Sequence, residues 1–231
     1  MADDNTSALD SVADSEYLPA GNFSAWLHQT RNAQVTKGTT NAKCGACVGC
    51  CTSSYFIHIG PDESQTLQRI PKQLLFSAPG LPKGHVLMGY DEKGHCPMLI
   101  GGKCSIYEHR PQTCRSYDCR VFPAAGFRAG EADKEPINQR IGRWKFSYPT
   151  KLARTEHAAV QAAGQFLRER ANCFPIGVVP GNPAQLAVLA IKVYEVFVNH
   201  ESGSPERTRT DAEIADAVME RLKQFDAGYI T

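Results

Sequence analysis

Cysteines carry the chemistry of this chain. There are nine among 231 residues, eight of them between Cys44 and Cys119, with Cys173 standing apart. Cys44, Cys47 and Cys50 recur at every third position and Cys51 follows directly. Thiolates at that spacing can curl round one metal centre, because the turns between them aim successive sulfurs inward. A single Cys-x2-Cys pair is shared by zinc knuckles and redox dithiols. Three cysteines in phase followed by an adjacent fourth are far more specific. A second set, Cys96, Cys104, Cys114 and Cys119, contains no pair at two-residue spacing. Its members must be assembled by the tertiary fold. Eight thiols suffice for two four-ligand centres, or for one centre plus structural or redox-active thiols. Clustered cysteines in a reducing compartment point to metal rather than disulfides, and an odd total fits a complete disulfide framework poorly.

The C-x2-C-x2-C run is also how bacterial ferredoxins hold three corners of a cubane cluster, with a Cys-Pro nearby. Here Cys96-Pro97 supplies a remote Cys-Pro. A cluster held by four thiolates is a net anion, so neighbouring guanidinium groups offset its charge and raise its reduction potential. Arg110, Arg115 and Arg120 flank Cys114 and Cys119 and suit that role, with surface arginine as the plain alternative. Tyr107 reads as a packing residue with its hydroxyl bonded. His95 and His109 lie near the cysteines and are chemically able to complete a zinc or Rieske-like site, but read as ordinary polar residues, while His58 reads as a core or edge residue of its strand. Cys173, beside Phe174 and Pro175, reads as a small buried hydrophobe. Asp62, Glu63, Asp91 and Glu92 serve helix-end and turn chemistry. No Ser-His-Asp arrangement, phosphate loop or H-E-x-x-H motif is present.

The elements that must position these cysteines are short. Tyr55–Ile59 reads as a strand with Tyr55, Ile57 and Ile59 on one face. Pro61-Asp62-Glu63 opens a short helix that Pro71 ends, and residues 79–84 form a loop. Met98–Ile100 and Cys104–Tyr107 form a hairpin about Gly101-Gly102. A two-residue turn pairs Ile100 with Lys103 and sets Cys96 and Cys104 on opposite faces. A three-residue turn pairs Ile100 with Cys104 and sets them on one face. Pro97 is able to end the strand before Cys96 is reached.

Downstream the chain reads as helical. A stripe of Leu152, Ala159, Ala163, Phe166 and Leu167 predicts a helix over about 150–171. Asn182-Pro183 is an N-cap with proline at the first helical position. Thr210 and Glu213 form a capping box for a third helix. Tyr17, Leu18, Phe23, Trp26 and Leu27 pack a short segment onto the domain, the first dozen residues read as disordered, and residues 201–209 as a polar linker. The fold class is therefore α+β: a small cysteine-rich, metal-bound core with short strands, followed by about three helices. The domains are residues 1–40 as an N-terminal extension, 41–128 as the metal-binding domain, and 129–231 as a helical region packed on it.

Composition narrows the function. A net charge of +1 argues against nucleic acid held mainly through a basic surface. No stretch approaches the roughly 18 to 20 apolar residues of a membrane helix, and the acidic start lacks the features of a secretory signal. The expected location is the reducing cytoplasm, with no membrane and no nucleic acid as partners.

The segment Cys104-x-Ile106-Tyr107-x-x-Arg110-Pro111-x-x-Cys114-Arg115 carries a resemblance. Together with Cys44, Cys47, Cys50, Cys51 and Cys96-Pro97-Met98-Leu99, it resembles the YkgJ-type cysteine-cluster family, a zinc- or iron-chelating domain. The match spans about residues 44–120, and Cys119 is less firmly part of the shared pattern. The resemblance implies a bound metal centre, iron–sulfur more often than zinc. A related cysteine domain occurs in flagellin lysine methylases, but no nucleotide-type Gly-x-Gly loop follows a strand here. The expected ligands are Cys44, Cys47, Cys50, Cys51, Cys96, Cys104, Cys114 and Cys119, with Arg110 and Arg115 beside the cofactor. The expected cofactor is an iron–sulfur cluster of the 4Fe-4S type, with zinc as the alternative. The role is electron transfer or redox accessory function, with a redox or protein partner. The alternatives are a zinc-binding structural or interaction module and a metal-handling protein. Whether the chain is itself an enzyme stays open.

Overall fold

The computed structural model describes residues 17–36, 38–40, 46–198 and 209–228. Cys44, the first dozen residues and nearly all of the 201–209 linker lie outside them.

The protein is α+β, with a helical body beside a region of short strands. Strand β1 (Leu18–Asn22) runs straight into helix α1 (Phe23–Thr36). It pairs in parallel with β7 (Trp144–Ser147), over a hundred residues away. Between them lie β2 (Ile57–Ile59), β3 (Leu75–Ser77) and β4 (Val86–Met88), which form an antiparallel sheet in the order β2-β4-β3. A hairpin of β5 (Leu99–Ile100) and β6 (Lys103–Cys104) follows. The short helices here are α2 (Ser64–Arg69), α3 (Gln112–Ser116), α4 (Val121–Ala125) and α5 (Glu135–Arg143). The long ones are α6 (Lys151–Glu169), α7 (Pro183–Val193) and α8 (Asp211–Asp226). No helix of the described residues is long and apolar enough to cross a membrane.

The long helices start where their capping residues place them. Thr150 accepts the Ala153 N–H, and Asn182 accepts those of Ala184 and Gln185. Thr210 and Glu213 make both bonds of a capping box. Each satisfies N–H groups that a helix start leaves without an internal partner. The body's core runs from Phe23 and Leu27 through Phe122, Val160 and Leu167 to Ile191 and Val218. Helices α4, α6 and α7 pack on one another there, and α1 lies against α6. A second core of Ile59, Ile70, Met88, Met98 and Ile106 sits under the small sheet.

Several elements differ from the sequence reading. Strands β3 and β4 flank the 79–84 loop. They carry few alternating positions, so pairing rather than periodicity makes them strands. Strand β7 depends on β1, a partner that no local pattern reveals. Helix α1 was not anticipated, because its polar residues blur the apolar stripe. Tyr107 is half exposed, its ring lying under the Arg110 guanidinium, 4.0 Å from the ring centre. Stacking, rather than burial of a bonded hydroxyl, holds it.

Candidate metal centre

Of the first cysteine run, Cys50 and Cys51 lie in a single 3₁₀ turn, Gly49–Thr52. Ser53 locks this turn to the body. Its buried hydroxyl donates to the Gly49 carbonyl at 2.6 Å and accepts the Ile137 N–H of α5 at 3.1 Å. Glycine at 49 eases that approach, since a Cβ there would lie 3.2 Å from the Pro136 carbonyl oxygen and 3.3 Å from Ile137 Cδ1, tighter than ordinary contact. The turn is joined to the next cysteine by the Cys96 N–H, which donates to the Cys51 carbonyl at 2.7 Å.

The hairpin takes the two-residue turn. Ile100 pairs with Lys103 and Leu99 with Cys104. Gly101 and Gly102 both have positive φ, 58° and 74°, which such a turn demands and glycine tolerates. Strand alternation would put Cys96 and Cys104 on opposite faces, yet both line one cavity. The reason is that β5 begins only at Leu99. The Leu99 N–H closes a turn on the Cys96 carbonyl at 2.9 Å, so the alternation never reaches Cys96.

Helix α3 brings the last cysteine of the cavity, Cys114. Pro111 precedes it, Thr113 donates to the His58 carbonyl of β2 at 2.8 Å, and the Gln112 N–H donates to Glu63 at 2.6 Å. Glu63 also accepts the Gly60 N–H and lies 3.8 Å from the Arg115 guanidinium. Sequence reasoning assigned Glu63 to helix-end chemistry only. Gln112 and Arg115 lie some fifty residues away from it, and no local signal names them.

The result is a cavity of about 440 Å³ lined by Cys47, Cys50, Cys51, Cys96, Cys104 and Cys114, with Arg110 and Arg115 at its wall. Among the described residues, no His, Asp or Glu lines it. Six of the predicted ligands are thus brought together. His95 and His109 are half-buried outside it, and His58 stacks on His85, with ring nitrogens 2.9 Å apart. Cys173 packs on the helical core. Cys119 is likewise packed on the body core, and the Trp144 indole N–H donates to its sulfur at 3.1 Å. Arg120 stands away from the cavity. It is buried in an ion pair with Asp118 at 2.7 Å and donates to the Ala20 carbonyl.

Burial dominates the thiol chemistry. It pushes Cys96 up to about 11 and Cys114 up to about 12, with neighbouring cysteines adding to the rise in both. Cys104 is raised for the same first reason. Cys51 moves the other way, because Cys50, 4.0 Å away, hydrogen-bonds its sulfur. The Arg110 charge acts favourably on Cys104 and Cys114. Arg115 is committed elsewhere. Its guanidinium donates to the Arg110 carbonyl at 2.7 Å and to Gln112 at 3.1 Å, beside Glu63. Two residues the sequence reading passed over also line the cavity, Tyr55 and Tyr117, whose hydroxyls lie 3.3 Å apart. Burial raises the pKa of both, well above the usual value for Tyr117.

Residues 43–140 match the family model CxxCxxCC, described as "Putative zinc- or iron-chelating domain". The matched segment is similar to that domain. No curated protein and no solved structure matches the chain. The matched residues include the cysteine turn, the small sheet, the hairpin, α3 and most of α5, and stop before β7 and the long helices. The CxxCxxCC domain is a metal-binding module, and the donor chemistry agrees. None of the described cysteines is in a disulfide, and the six at the cavity are soft sulfur donors. Among the described residues, no three Cys, His, Asp or Glu side chains stand close enough together to hold a single metal ion.

Proposed function

We propose that the CxxCxxCC domain of this chain holds an iron–sulfur cluster in the cysteine cavity and serves as an electron carrier or redox accessory to a protein partner. The observation that carries this reading is the donor set: six thiols and, among the described residues, no His, Asp or Glu along one half-buried cavity, with Arg110 at its wall and its charge favouring the thiolates of Cys104 and Cys114. Iron–sulfur clusters are held by cysteine thiolates, and nearby positive charge favours their reduced form. When bound, such a group supplies one-electron chemistry. The chain's own part is to hold the sulfurs, to half-bury Cys96 and Cys114, and to set a fixed positive charge beside the cavity. A reducing cytoplasmic location belongs with this reading, since ligand thiols must stay reduced.

Protein purified without oxygen is expected to be brown and to contain iron and acid-labile sulfide. Stoichiometric zinc without iron, in cells supplied with iron, overturns the iron–sulfur reading in favour of a four-thiolate zinc module, a donor set that structural zinc also uses.

A further inference from the structure

The small sheet buries one face and leaves the other open. Ile57, Met88 and Leu75 pair across it on the buried side, and His58, Leu87 and Phe76 form the row that strand alternation turns outward. Phe56 and Phe76 meet edge to face, ring centres 6.0 Å apart, and Tyr90 lies 5.0 Å from Phe56. Phe56 and Phe76 close over Gly89, where a Cβ would be in ordinary contact with both rings. Phe56 is 56% exposed, Phe76 45% and Tyr90 41%. Among the described residues ten large apolar side chains stay exposed, and six of them fall between Phe56 and Tyr107. The cysteine region, not the larger helical body, therefore carries the concentrated apolar surface. Clustered exposure of that kind marks an interaction site, where scattered single residues do not.

This patch runs into the cysteine cavity. Phe56 belongs to both, and the exposed Tyr107 stands on the cavity wall with Lys103 and Arg110. The charged residues of that lining are Lys103, Arg110 and Arg115, all cationic. Glu63 matches Arg115, whereas among the described residues no carboxylate pairs with Lys103 or Arg110. The cavity mouth thus combines an apolar patch with unmatched positive charge. Single-stranded nucleic acid fits it poorly. Its bases need free ring faces, but these rings pack edge to face, and the carboxylates of Asp91 and Glu92 directly after Tyr90 repel phosphate.

We infer that the open face of the β2-β4-β3 sheet is the docking surface for a partner protein whose contact face is apolar at its centre and carries carboxylates that meet Lys103 and Arg110. This deepens the proposed redox role and rests on it for the kind of partner, an electron carrier. A partner seated on Phe56 sits at the edge of the thiol cavity. Its apolar centre covers Phe56, Phe76 and Tyr90, while the opposite charges steer the approach and fix the orientation. Redox interfaces of this kind are small and transient.

The probe is oxidised flavodoxin, an acidic flavin-carrying electron-transfer protein, titrated calorimetrically against full-length protein purified without oxygen. Saturable binding that weakens as salt rises is expected. Phe76 and Tyr90 do not line the cavity, so the double variant Phe76→Ser, Tyr90→Ser is expected to keep its metal and to bind about tenfold more weakly. Ile176→Ser, at an exposed residue of the loop before α7, is the control and should bind as the wild type does. No binding by the wild type, an affinity indifferent to salt, or equal loss in the Ile176 variant overturns the proposal. If the double variant loses metal or does not fold, Phe76→Gln and Tyr90→Gln are made singly, each expected to weaken binding about threefold, and wild-type affinity in both overturns it. Tighter binding of a single-stranded oligonucleotide than of flavodoxin, through the same two rings, overturns it in favour of nucleic acid. A wild type that carries zinc without iron, yet binds flavodoxin through the two rings, ends the redox role and leaves the docking face standing.

Discussion

The cysteine region and the helical body are held together by different forces. The body buries an apolar core that runs through α1, α4, α6, α7 and α8, with Phe23, Leu27, Val160, Leu167 and Val193 fully enclosed. The cysteine region buries five apolar side chains under strands of two or three residues. A core that small does not offset the conformational entropy of the loops around it. Its remaining order comes from scattered polar links such as Glu63, Ser53 and Thr113, and from whatever the thiols bind. Where no preformed site exists in the unfolded chain, metal binding energy is folding energy. The body therefore reads as a scaffold that folds through its apolar faces, and the cysteine region as a module completed by its metal.

Metal removal should expose that difference most sharply. Stripping the metal with a chelator is expected to abolish hydrogen-exchange protection in β2, β4 and the β5–β6 hairpin while α6 and α7 stay protected. Simultaneous loss in both regions would break the comparison and make the chain one cooperative unit. The converse experiment is Leu167→Ala. Leu167 is fully buried in the body, and truncation should cost about 2–5 kcal/mol in denaturant unfolding of the helices. Metal content at low temperature should not change.

The seam between the regions is testable at Ser53. Ser53→Ala leaves the Gly49 carbonyl and the Ile137 N–H without their partner. The expected cost is roughly 1–3 kcal/mol, read as faster metal release to a competing chelator with the helices still folded. Unchanged release would show that α5 does not brace the cysteine turn. The smallest effect concerns charge. Arg110→Gln should lower the midpoint potential in film voltammetry without loss of metal, because a fixed positive charge favours the reduced form. Arg115→Gln should shift it less, since the Arg115 charge is already matched by Glu63. Both shifts are small, because the arginines are partly exposed and screened. A larger shift from Arg115 would reverse their assignment.

Much of this was legible in the residues alone. The α+β class, the starts of α6, α7 and α8, and the metal-binding nature of the cysteine segment all follow from local signals. A cap bonds N–H groups two or three residues away, and a thiol run advertises its own chemistry, so neither needs a distant partner to be recognised. The tertiary structure alone decided the rest. The sequence left both hairpin registers open, and strand alternation in the observed one would separate Cys96 from Cys104. They meet only because the chain turns at Cys96–Leu99 instead of continuing as strand. Cys119 looks like one more ligand in a list, but the Asp118–Arg120 clamp carries it to Trp144. Arg115 directly follows Cys114 in sequence, but Glu63 claims its charge. In each case the deciding partner lies some 25 to 100 residues away or depends on where a strand stops, and patterns of two, three or four residues carry no information at that range.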